Sequence, residues 1–272
     1  MVPDTQLELA AGHLRSAERV VIFTGAGVSA ESGIDTFRDD GGLWDEFAPE
    51  QFATWSGLIN TAMRSPRKCA SFMHRLLAPI AMAQPNAAHR AIARAEQSIA
   101  MTVVTQNVDG LHQEAGSTIV REIHGSLLEI VTTKRRFVRL LARSQLATIT
   151  SHLQKATRSP LALVRMLHAI RPMAGLGARG FFRPSAVLFG EALKEPAWTA
   201  ALDDCDRCDV MLVIGTSGLV LPAAMLPARA RAAGATIIVI DPAEPTNADI
   251  WFECTACAVL PDLIDKALSG EP

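Results

Sequence analysis

A run of apolar residues that breaks into a glycine-rich turn constrains this chain more than any other feature. Val20 to Phe23 are β-branched or aromatic, and Thr24 leads into the turn Gly25-Ala26-Gly27, which Ala30 follows. This order is typical of a buried parallel strand and the start of a helix. Backbone N–H groups of such a turn can approach the pyrophosphate of a dinucleotide, and Ala30 suits a third position that needs only a small side chain. A plain strand-to-helix corner is the alternative interpretation, because the turn alone is a weak signal.

Apolar runs alternate with helical patterns along the chain, which predicts an α/β fold with a doubly wound, Rossmann-like parallel sheet. Further strands are predicted at 102–105, 119–123, 209–215 and 235–241, and helices at 5–17, 68–82, 86–97, 196–203, 221–233 and 261–268. No regular period is present between residues 32 and 55, which predicts a long ordered loop. Helices are also predicted from Phe137 to Leu153 and, with Ser159 as the N-cap, through Ile170.

Polar side chains stand at the carboxyl ends of the predicted strands, where doubly wound sheets bind their ligands. These ends are Thr24-Gly25, Gln106-Asn107-Val108-Asp109, Gly215-Thr216-Ser217 and Asp241. The carboxylate of Asp241 can accept hydrogen bonds from ribose hydroxyls and would repel a 2′-phosphate, which favours NAD over NADP. Thr216 and Ser217 can donate to ribose or phosphate oxygens, although either one alone is also consistent with a simple turn.

The composition excludes several classes of protein. No apolar stretch is long enough to span a bilayer, and the N-terminal residues lack the pattern of a signal peptide. Five cysteines without framework spacing indicate a reducing compartment. We therefore expect a cytoplasmic protein that does not contact a membrane.

Charge is unevenly distributed along the chain. Residues 130–190 contain 11 Lys and Arg and no Asp or Glu, whereas the whole chain has a net charge of −2. The insert at 134–183 is therefore a candidate surface for an acidic partner. A solvated helix surface is the simpler interpretation, and the shortage of aromatic residues argues against nucleic acid as the partner.

Five stretches carry a resemblance to a known family: GAGVSAESGIDTFRDDGGLW, TQNVDGLHQEAGS, IHGS, FRPSAVLFGE and GTSGLVLPAA, in that order. Together they resemble the sirtuins, which are NAD-dependent protein deacylases, and they are most similar to the bacterial branch. The resemblance implies one catalytic domain over residues 1–272, with a Rossmann-like part (1–32, 85–124 and 187–272) and a smaller, mostly helical part (33–84 and 125–186). It also implies a transferase that consumes NAD as a co-substrate and yields nicotinamide, free lysine and O-acyl-ADP-ribose.

The resemblance also implies roles for the polar strand ends. In sirtuins the nicotinamide–ribose bond breaks while the acyl-lysine oxygen attacks the ribose carbon, so the site must hold both groups in line. By similarity, Gln106 and Asn107 contact the ribose and an ordered water, Asp109 holds the nicotinamide carboxamide, and His124 is the general base. The implied cofactor-binding set is Gly25, Ala26, Gly27, Ala30, Glu31, Phe37, Arg38, Trp44, Gln106, Asn107, Asp109, Gly215, Thr216, Ser217, Asp241 and Ala256, of which Phe37 and Arg38 belong to a loop that closes on NAD.

Acyl-lysine proteins are the implied partners, and in the family the substrate peptide lies as an added strand between two segments. The corresponding residues here are Val187, Phe189, Gly190 and Glu191 on one side and Gly218 and Val220 on the other. Sirtuins that remove acidic acyl groups recognise them with a Tyr-x-x-Arg pair, but this chain contains no tyrosine and only Arg75 remains. We therefore expect acetyl or longer fatty acyl groups rather than succinyl groups.

The chain departs from the family pattern in its cysteines. Sirtuins hold a structural zinc with two Cys-x-x-Cys pairs in the small domain, yet no cysteine lies between Cys69 and Cys205. We expect no zinc, and an insert held instead by the apolar residues Phe137, Leu140, Leu153, Leu163 and Leu167. The pairs Cys205/Cys208 and Cys254/Cys257 precede different elements, which predicts free thiols on opposite edges of the sheet.

One residue in the glycine-rich motif also differs from the family. Asp35 stands where sirtuins have proline, which should loosen the loop and add negative charge near the nicotinamide pocket. Two other functions remain open: a protein mono-ADP-ribosyltransferase on the same scaffold, and a non-catalytic NAD sensor. His124 favours deacylation over the first, and the intact polar set at 106–109 argues against the second.

Overall fold

The computed structural model describes residues 3–36, 42–178 and 180–270. Its strands are β1 Val20–Thr24, β2 Met101–Thr105, β3 Val120–Glu122, β4 Glu129–Thr132, β5 Phe137–Leu140, β6 Gly175–Gly177, β7 Gly180–Pro184, β8 Val210–Ile214, β9 Thr236–Ile240 and β10 Ile250–Phe252. Its helices are α1 Asp4–Ser16, α2 Gly27–Ala30, α3 Leu43–Glu46, α4 Pro49–Phe52, α5 Trp55–Arg64, α6 Pro66–Met82, α7 Ala87–Ala95, α8 Leu111–Ala115, α9 Arg143–Thr157, α10 Ala162–Ile170, α11 Ala197–Cys205, α12 Leu226–Ala232 and α13 Ala256–Ser269, with a 3₁₀ turn at Ala223–Met225.

The chain divides into two compact units. The first comprises residues 1–32, 84–124 and 194–272, and the second comprises 33–83 and 125–193. Residues 187–193, which the sequence placed in the Rossmann-like part, belong to the second unit. Hydrogen bonds explain this difference, because Phe189 N donates to Ala53 O (2.8 Å) and the Arg183 guanidinium donates to Glu191 Oε1 (2.6 Å).

The first unit contains a parallel sheet with the strand order of a doubly wound fold. Among the described residues it has six strands in the order β10-β9-β8-β1-β2-β3, and every neighbouring pair is parallel. Counted along this unit, the order is 3-2-1-4-5-6 read from β3, which is the dinucleotide-binding order. The predicted α/β, Rossmann-like fold is therefore confirmed, and the strand order reverses between β1 and β8.

Both faces of this sheet are buried, as expected of parallel strands. On β1, Val20 and Ile22 pack into the apolar cluster that α1, α7 and α13 cover, whereas Val21 and Phe23 pack into the cluster that α11 and α12 cover. The last helix begins at Ala256, earlier than predicted, and α12 begins at Leu226, later than predicted. The strands of this sheet are therefore fixed by apolar packing on both faces, and their carboxyl ends are held in place with them.

The second unit combines helices with a small sheet that the sequence did not predict. Among its described residues the sheet is antiparallel, in the order β5-β4-β7-β6. Residues Phe137 to Leu140, predicted as helix, form β5, and their apolar members do not hold the insert together: Phe137 is 56% and Leu140 67% exposed. Leu167 is 54% exposed as well, so of the five residues expected to hold the insert only Leu153 is fully buried.

Helices α9 and α10 contribute the packing that the sequence assigned to other residues. Their buried side chains are Leu146, Ile149, Thr150, Leu153, Ala156, Ala162, Met166 and Ala169. Helix α10 begins at Ala162, and its N-cap residue is Leu161 instead of the predicted Ser159. Ser159 Oγ accepts a hydrogen bond from Leu161 N (3.0 Å).

The predicted loop at 32–55 contains the short helices α3 and α4, which pack with α6 through Leu43, Phe47, Phe52 and Phe72. Within the described residues, no helix is long and apolar enough to cross a membrane.

Candidate active site

The glycine turn after β1 packs directly against the end of β8. Gly25 N donates to Ile214 O (3.0 Å) and Gly27 N donates to Gly215 O (2.9 Å). A Cβ atom on Gly25 would lie 2.5 Å from Gly215 O, and one on Gly27 would lie 2.6 Å from Gly215 Cα. The two glycines are therefore required by the close approach of two backbones at the point where the strand order reverses. Helix α2 has a single turn, so its dipole contributes less here than the sequence suggested.

Asn107 and Asp109, at the end of β2, are joined to the glycine turn through Ser29. The Asn107 amide donates from Nδ2 to Gly25 O (3.0 Å) and to Ser29 Oγ (3.1 Å). Ser29 Oγ donates in turn to Asp109 Oδ2 (2.8 Å), and Asp109 Oδ1 accepts a hydrogen bond from Leu111 N (2.9 Å). Ser29 and Asp109 are both buried. These bonds occupy Nδ2 of the Asn107 amide and so fix the orientation of the side chain. The Oδ1 oxygen takes no part in them.

Gln106 connects the end of β2 with the end of β8 and with His124. Its Nε2 donates to Thr216 Oγ1 (2.8 Å), and its carbonyl oxygen lies 3.1 Å from His124 Nδ1. Because a carbonyl oxygen only accepts, the proton of the neutral imidazole is on Nδ1 and the lone pair is on Nε2. Burial lowers the pKa of His124, and the hydrogen bond to the Gln106 carbonyl opposes part of that effect. At neutral pH His124 is therefore a neutral imidazole, whose Nε2 can act as a base.

Two predicted cofactor residues lie together at the start of α13. Glu31 Oε2 accepts a hydrogen bond from Cys257 N (3.1 Å), and Glu31 Oε1 accepts one from Thr255 Oγ1 (3.2 Å). The carboxylate therefore caps the helix whose first residue is the buried Ala256. This contact gives Glu31 a structural role, and its contact with NAD stays a prediction.

Asp241 follows β9 at the same edge of the sheet. Its Oδ1 accepts a hydrogen bond from Ala243 N (2.8 Å), and its carbonyl oxygen accepts one from Trp251 Nε1 (2.9 Å). The remaining predicted residues of this unit follow β1 and β8: Ala26 in the glycine turn, Ala30 as the last residue of α2, and Ser217, Gly218 and Val220 after β8. Of these, Ala30, Ser217 and Gly218 are exposed. The first unit thus brings most of the predicted cofactor residues to one edge of one sheet.

Among the described residues, six predicted ones belong to the second unit: Trp44, Arg75, Val187, Phe189, Gly190 and Glu191. The Trp44 ring lies 6.2 Å from the Phe189 ring, centroid to centroid. The Glu191 carboxylate accepts hydrogen bonds from Leu188 N (3.0 Å), from Trp55 Nε1 (3.2 Å) and from Arg183. Burial acts to raise the pKa of Glu191, but these bonds, that from Leu188 N foremost, and the charge of Arg183 hold it below its usual range. Glu191 therefore shapes its own loop, and its contact with a substrate peptide stays a prediction. Phe37 and Arg38 lie outside the described residues.

The cysteine pairs lie on different faces of the parallel sheet. Cys205 and Cys208 are buried in the cluster under α11 and α12, whereas Cys254 and Cys257 pack against the cluster under α13. All five cysteines are free. No group of three or more His, Cys, Asp or Glu side chains among residues 3–36, 42–178 and 180–270 is arranged to hold a metal ion.

The sequence analysis named Thr24 only as a polar strand end and did not single out Ser29, Thr105 or His112, which also build this site. Ser29 bridges Asn107 and Asp109, and the buried residues Thr24, Thr105 and His112 form a hydrogen-bonded group beneath them. The only sequence signal for Ser29 was its place two residues after Gly27. Thr24 and Thr105 are the final residues of neighbouring strands in register, a relationship that appears only when the strands are paired.

Comparisons with known proteins agree with this geometry. The family described as "Sir2 family" matches residues 25–222. An NAD-dependent protein deacylase of Desulfosudis oleivorans is 40% identical over 97% of this chain and 96% of its own length. A second one, from Mycobacterium leprae, is 39% identical over 91% of this chain and 97% of its own. A crystal structure of a Sir2 homologue in complex with NAD is 31% identical, covers 98% of this chain and 94% of its own, and superimposes with a TM-score of 0.75. The predicted resemblance is confirmed, and the chain belongs to the Sir2 family, that of the sirtuins.

Proposed function

We propose that this chain removes acyl groups from lysine side chains of proteins in a reaction that consumes NAD, yielding nicotinamide, free lysine and O-acyl-ADP-ribose. The observation that carries the proposal is the set of polar groups at one sheet edge. Asn107 and Asp109 are joined there through Ser29, and Gln106 is hydrogen-bonded to His124 and to Thr216. A protein that only sensed NAD would not need a partly buried base and an amide held in fixed orientation.

The strand ends fit a dinucleotide. The glycines at 25, 27 and 215 keep side chains away from the turn, and Thr216 and Asp241 provide a hydroxyl and a carboxylate at neighbouring strand ends. Bound there, NAD would supply a ribose carbon with nicotinamide as the leaving group. In the proposal the residues holding it are the cofactor set named above, with Asp109 at the carboxamide and Asn107 at the ribose.

His124 acts in this proposal as the general base. Its Nδ1 proton is donated to the Gln106 carbonyl, so its Nε2 is free to accept a proton from a ribose hydroxyl. The lowered pKa keeps the imidazole unprotonated at neutral pH. A transfer of ADP-ribose to a nucleophilic side chain would not need this proton transfer, which is why deacylation is favoured.

The second unit favours neutral acyl groups. Arg75, the one remaining residue of the acid-recognising pattern, forms ion pairs with Asp35 and, at 3.8 Å, with Glu46. Beside it on α6, Phe72 stacks with Trp44 at 6.4 Å between ring centroids. A guanidinium that already has two carboxylates as partners gains little from a third one on an acyl chain. We therefore expect acetyl and longer fatty acyl groups to be preferred over succinyl groups.

The basic insert is proposed to contact acidic segments of partner proteins. Some of its cations have partners within the second unit, since Arg183 pairs with Glu191 and Arg135 donates to Ser185 O (3.2 Å). Others are exposed, namely Lys134, Arg136, Lys155, Arg158, Arg165 and Arg171. Charge-reversal of Arg158 and Arg165 to Glu should weaken binding to an acidic peptide without changing activity on a short acyl-lysine peptide.

The free state of all five cysteines is compatible with the cytoplasm, where we place the protein.

The deacylase proposal is tested by product analysis. The purified chain is incubated with NAD and a panel of acetyl-, fatty-acyl- and succinyl-lysine peptides, and the products are identified by mass spectrometry. His124→Ala should lower the rate by about 10²–10⁴-fold, as the loss of a general base does. His168→Ala, which removes an exposed histidine of α10, is the control and should leave the rate unchanged. ADP-ribosylated protein without O-acyl-ADP-ribose, or an unaffected His124→Ala variant, would contradict the proposal.

A further inference from the structure

Two threonines end neighbouring strands beneath Asn107. Thr24 and Thr105 are paired in register between β1 and β2, and both are buried. Thr24 Oγ1 donates a hydrogen bond to Thr105 Oγ1 (2.8 Å), and Thr105 Oγ1 also accepts one from Asn107 N (3.0 Å). The Thr105 hydroxyl oxygen therefore holds the backbone of the residue whose side chain is proposed to contact the ribose.

His112, on α8, determines the orientation of this pair. Its Nε2 lies 3.1 Å from Thr24 Oγ1. Because the single proton of the Thr24 hydroxyl is donated to Thr105, Thr24 can only accept from His112, so the imidazole proton is on Nε2. The hydrogen bonds then run in one direction, from His112 to Thr24 and from Thr24 to Thr105.

His89, on α7, packs against this imidazole. The centroids of the two rings are 4.8 Å apart. His89 Nδ1 lies 2.8 Å from Asn86 Oδ1, and that oxygen can only accept because Asn86 Nδ2 donates to Val28 O (2.8 Å). Asn86 N also points at His89 Nδ1, but from 3.4 Å, so the shorter contact with Asn86 Oδ1 decides the tautomer and the proton of His89 is on Nδ1. This leaves an unprotonated ring nitrogen on each histidine, His89 Nε2 and His112 Nδ1, buried and without a hydrogen-bond partner among the described residues.

Such a pair is costly as simple core packing. Each buried acceptor without a partner lowers the stability of the fold, and apolar side chains of similar shape would avoid that loss. A histidine is needed at position 112 only if its N–H donor is needed, and among the described residues that donor's partner is Thr24.

We propose that His112 is a positioning residue of the active site, which holds Asn107 through the hydroxyls of Thr24 and Thr105. The inference rests on the proposed function only for the role of Asn107 at the ribose. The hydrogen bonds themselves define what substitution does. Without the donor at 112, the Thr24 hydroxyl can rotate to donate elsewhere, Thr105 loses one of its two donors, and the turn at Asn107 loosens.

The test compares His112→Phe, which removes the donor, with His112→Gln, whose Nε2 amide places a donor near the same position. We expect His112→Phe to lower kcat by about tenfold with a smaller change in KM for the acyl peptide, because a displaced reacting geometry acts on the chemical step. His112→Gln should recover most of the rate. An equally active His112→Phe variant, or a folded His112→Gln variant that is no more active than His112→Phe, would overturn the proposal.

A second readout does not depend on activity. Amide hydrogen exchange of a peptide covering residues 105–110 should be faster in His112→Phe and return toward wild type in His112→Gln. If the wild-type chain released no nicotinamide, the proposed function would fail while the exchange data still decided the positioning role. Should His112→Phe not fold, Thr105→Val against Thr105→Ser makes the same comparison, since only serine keeps the hydroxyl. Unchanged exchange in Thr105→Val would then contradict the proposal.

Discussion

Ser29 Oγ donates a 2.8 Å hydrogen bond to Asp109 Oδ2, and this bond joins the helical turn after β1 to the end of β2. Both residues are buried, so the bond is shielded from water. The same hydroxyl accepts from Asn107 Nδ2 (3.1 Å). One serine therefore fixes the two residues that are proposed to hold the ribose and the carboxamide of NAD.

Ser29→Ala should impair catalysis more than it impairs folding. The change leaves Asp109 Oδ2 and Asn107 Nδ2 each without one partner, which should cost about 1–2 kcal/mol of unfolding free energy. The loss of orientation should lower kcat/KM for NAD by about tenfold or more. Steady-state kinetics and urea unfolding measure the two effects. Ser32→Ala is the matched control, because Ser32 Oγ is buried without a hydrogen-bond partner in the described part of the chain. Equal effects of the two substitutions would contradict the role of Ser29.

Gly27→Ala should destabilise the protein by forcing two backbones apart. The added Cβ would meet Gly215 Cα at 2.6 Å, a contact that no side-chain rotation relieves. We expect a loss of at least ~2 kcal/mol of unfolding free energy. Gly12→Ala, within α1, is the control, since its Cβ would meet only Arg15 Nη2 at 3.9 Å. That change should stabilise the helix by about 0.5–1 kcal/mol. Urea unfolding of both variants decides the matter, and a Gly27→Ala protein of wild-type stability would refute the packing argument.

Asp35→Asn should shift acyl preference toward acidic groups. Asp35 and Glu46 are the carboxylates that pair with Arg75 among the described residues, and the substitution removes the first, while Glu46 stays at 3.8 Å. The ratio of kcat/KM for succinyl-lysine to that for acetyl-lysine should rise about threefold, which corresponds to ~0.6 kcal/mol for a partly exposed charge pair. The double variant with Arg75→Gln should lose the gain. A gain that persists without Arg75 would show that the charge of this arginine is not responsible.

Acidification should destabilise the protein through the buried histidine pair. Burial lowers the pKa of His89 to about 4 and that of His112 to about 3, whereas unfolded histidine titrates at about 6.5. The unfolded state therefore binds more protons as the pH falls below about 6.5, and the stability present at neutral pH is lost toward pH 4. Each histidine contributes a slope of up to ~1.4 kcal/mol per pH unit in that range.

Urea unfolding between pH 7 and pH 4.5 measures this slope. His89→Gln and His112→Gln should each flatten it, because the glutamine side chain does not titrate. His152→Gln, at an exposed position on α9, should leave it unchanged. Identical slopes in all four proteins would show that the pair does not determine the acid sensitivity.

Removal of metal should not affect the fold. Burial raises the pKa of Cys205 to about 12 and that of Cys208 to about 11, so both thiols are protonated at neutral pH and are poor zinc ligands. The second unit is packed instead by α6, α9 and α10. We expect treatment with EDTA to leave the melting temperature unchanged and elemental analysis to find less than stoichiometric zinc. Zinc at one equivalent per chain would contradict the zinc-free interpretation.

The order of motifs along the chain determined the family, the parallel fold and the polar strand ends, because these follow from local patterns. The β-branched run before Gly25 predicts a buried strand, and the four residues at 106–109 predict a polar strand end, whatever the order of the strands in the sheet. Buried parallel strands are continuous apolar runs, and the sequence shows them directly. The positions of His124 and of the strand ends could therefore be predicted without coordinates.

Only the tertiary structure decided which residues support that site and how the insert is built. Strand β4 pairs with β7 some fifty residues later and with β5 on its other side. The apolar residues in Phe137 to Leu140, which form β5, do not reveal that pairing in the sequence. Ser29, Thr24, Thr105 and His112 come from separate segments and acquire their roles through hydrogen bonds between segments. These groups meet only because strands and helices that are distant in the sequence pack together. The type of a residue and its sequence neighbours do not indicate which distant residue it will contact.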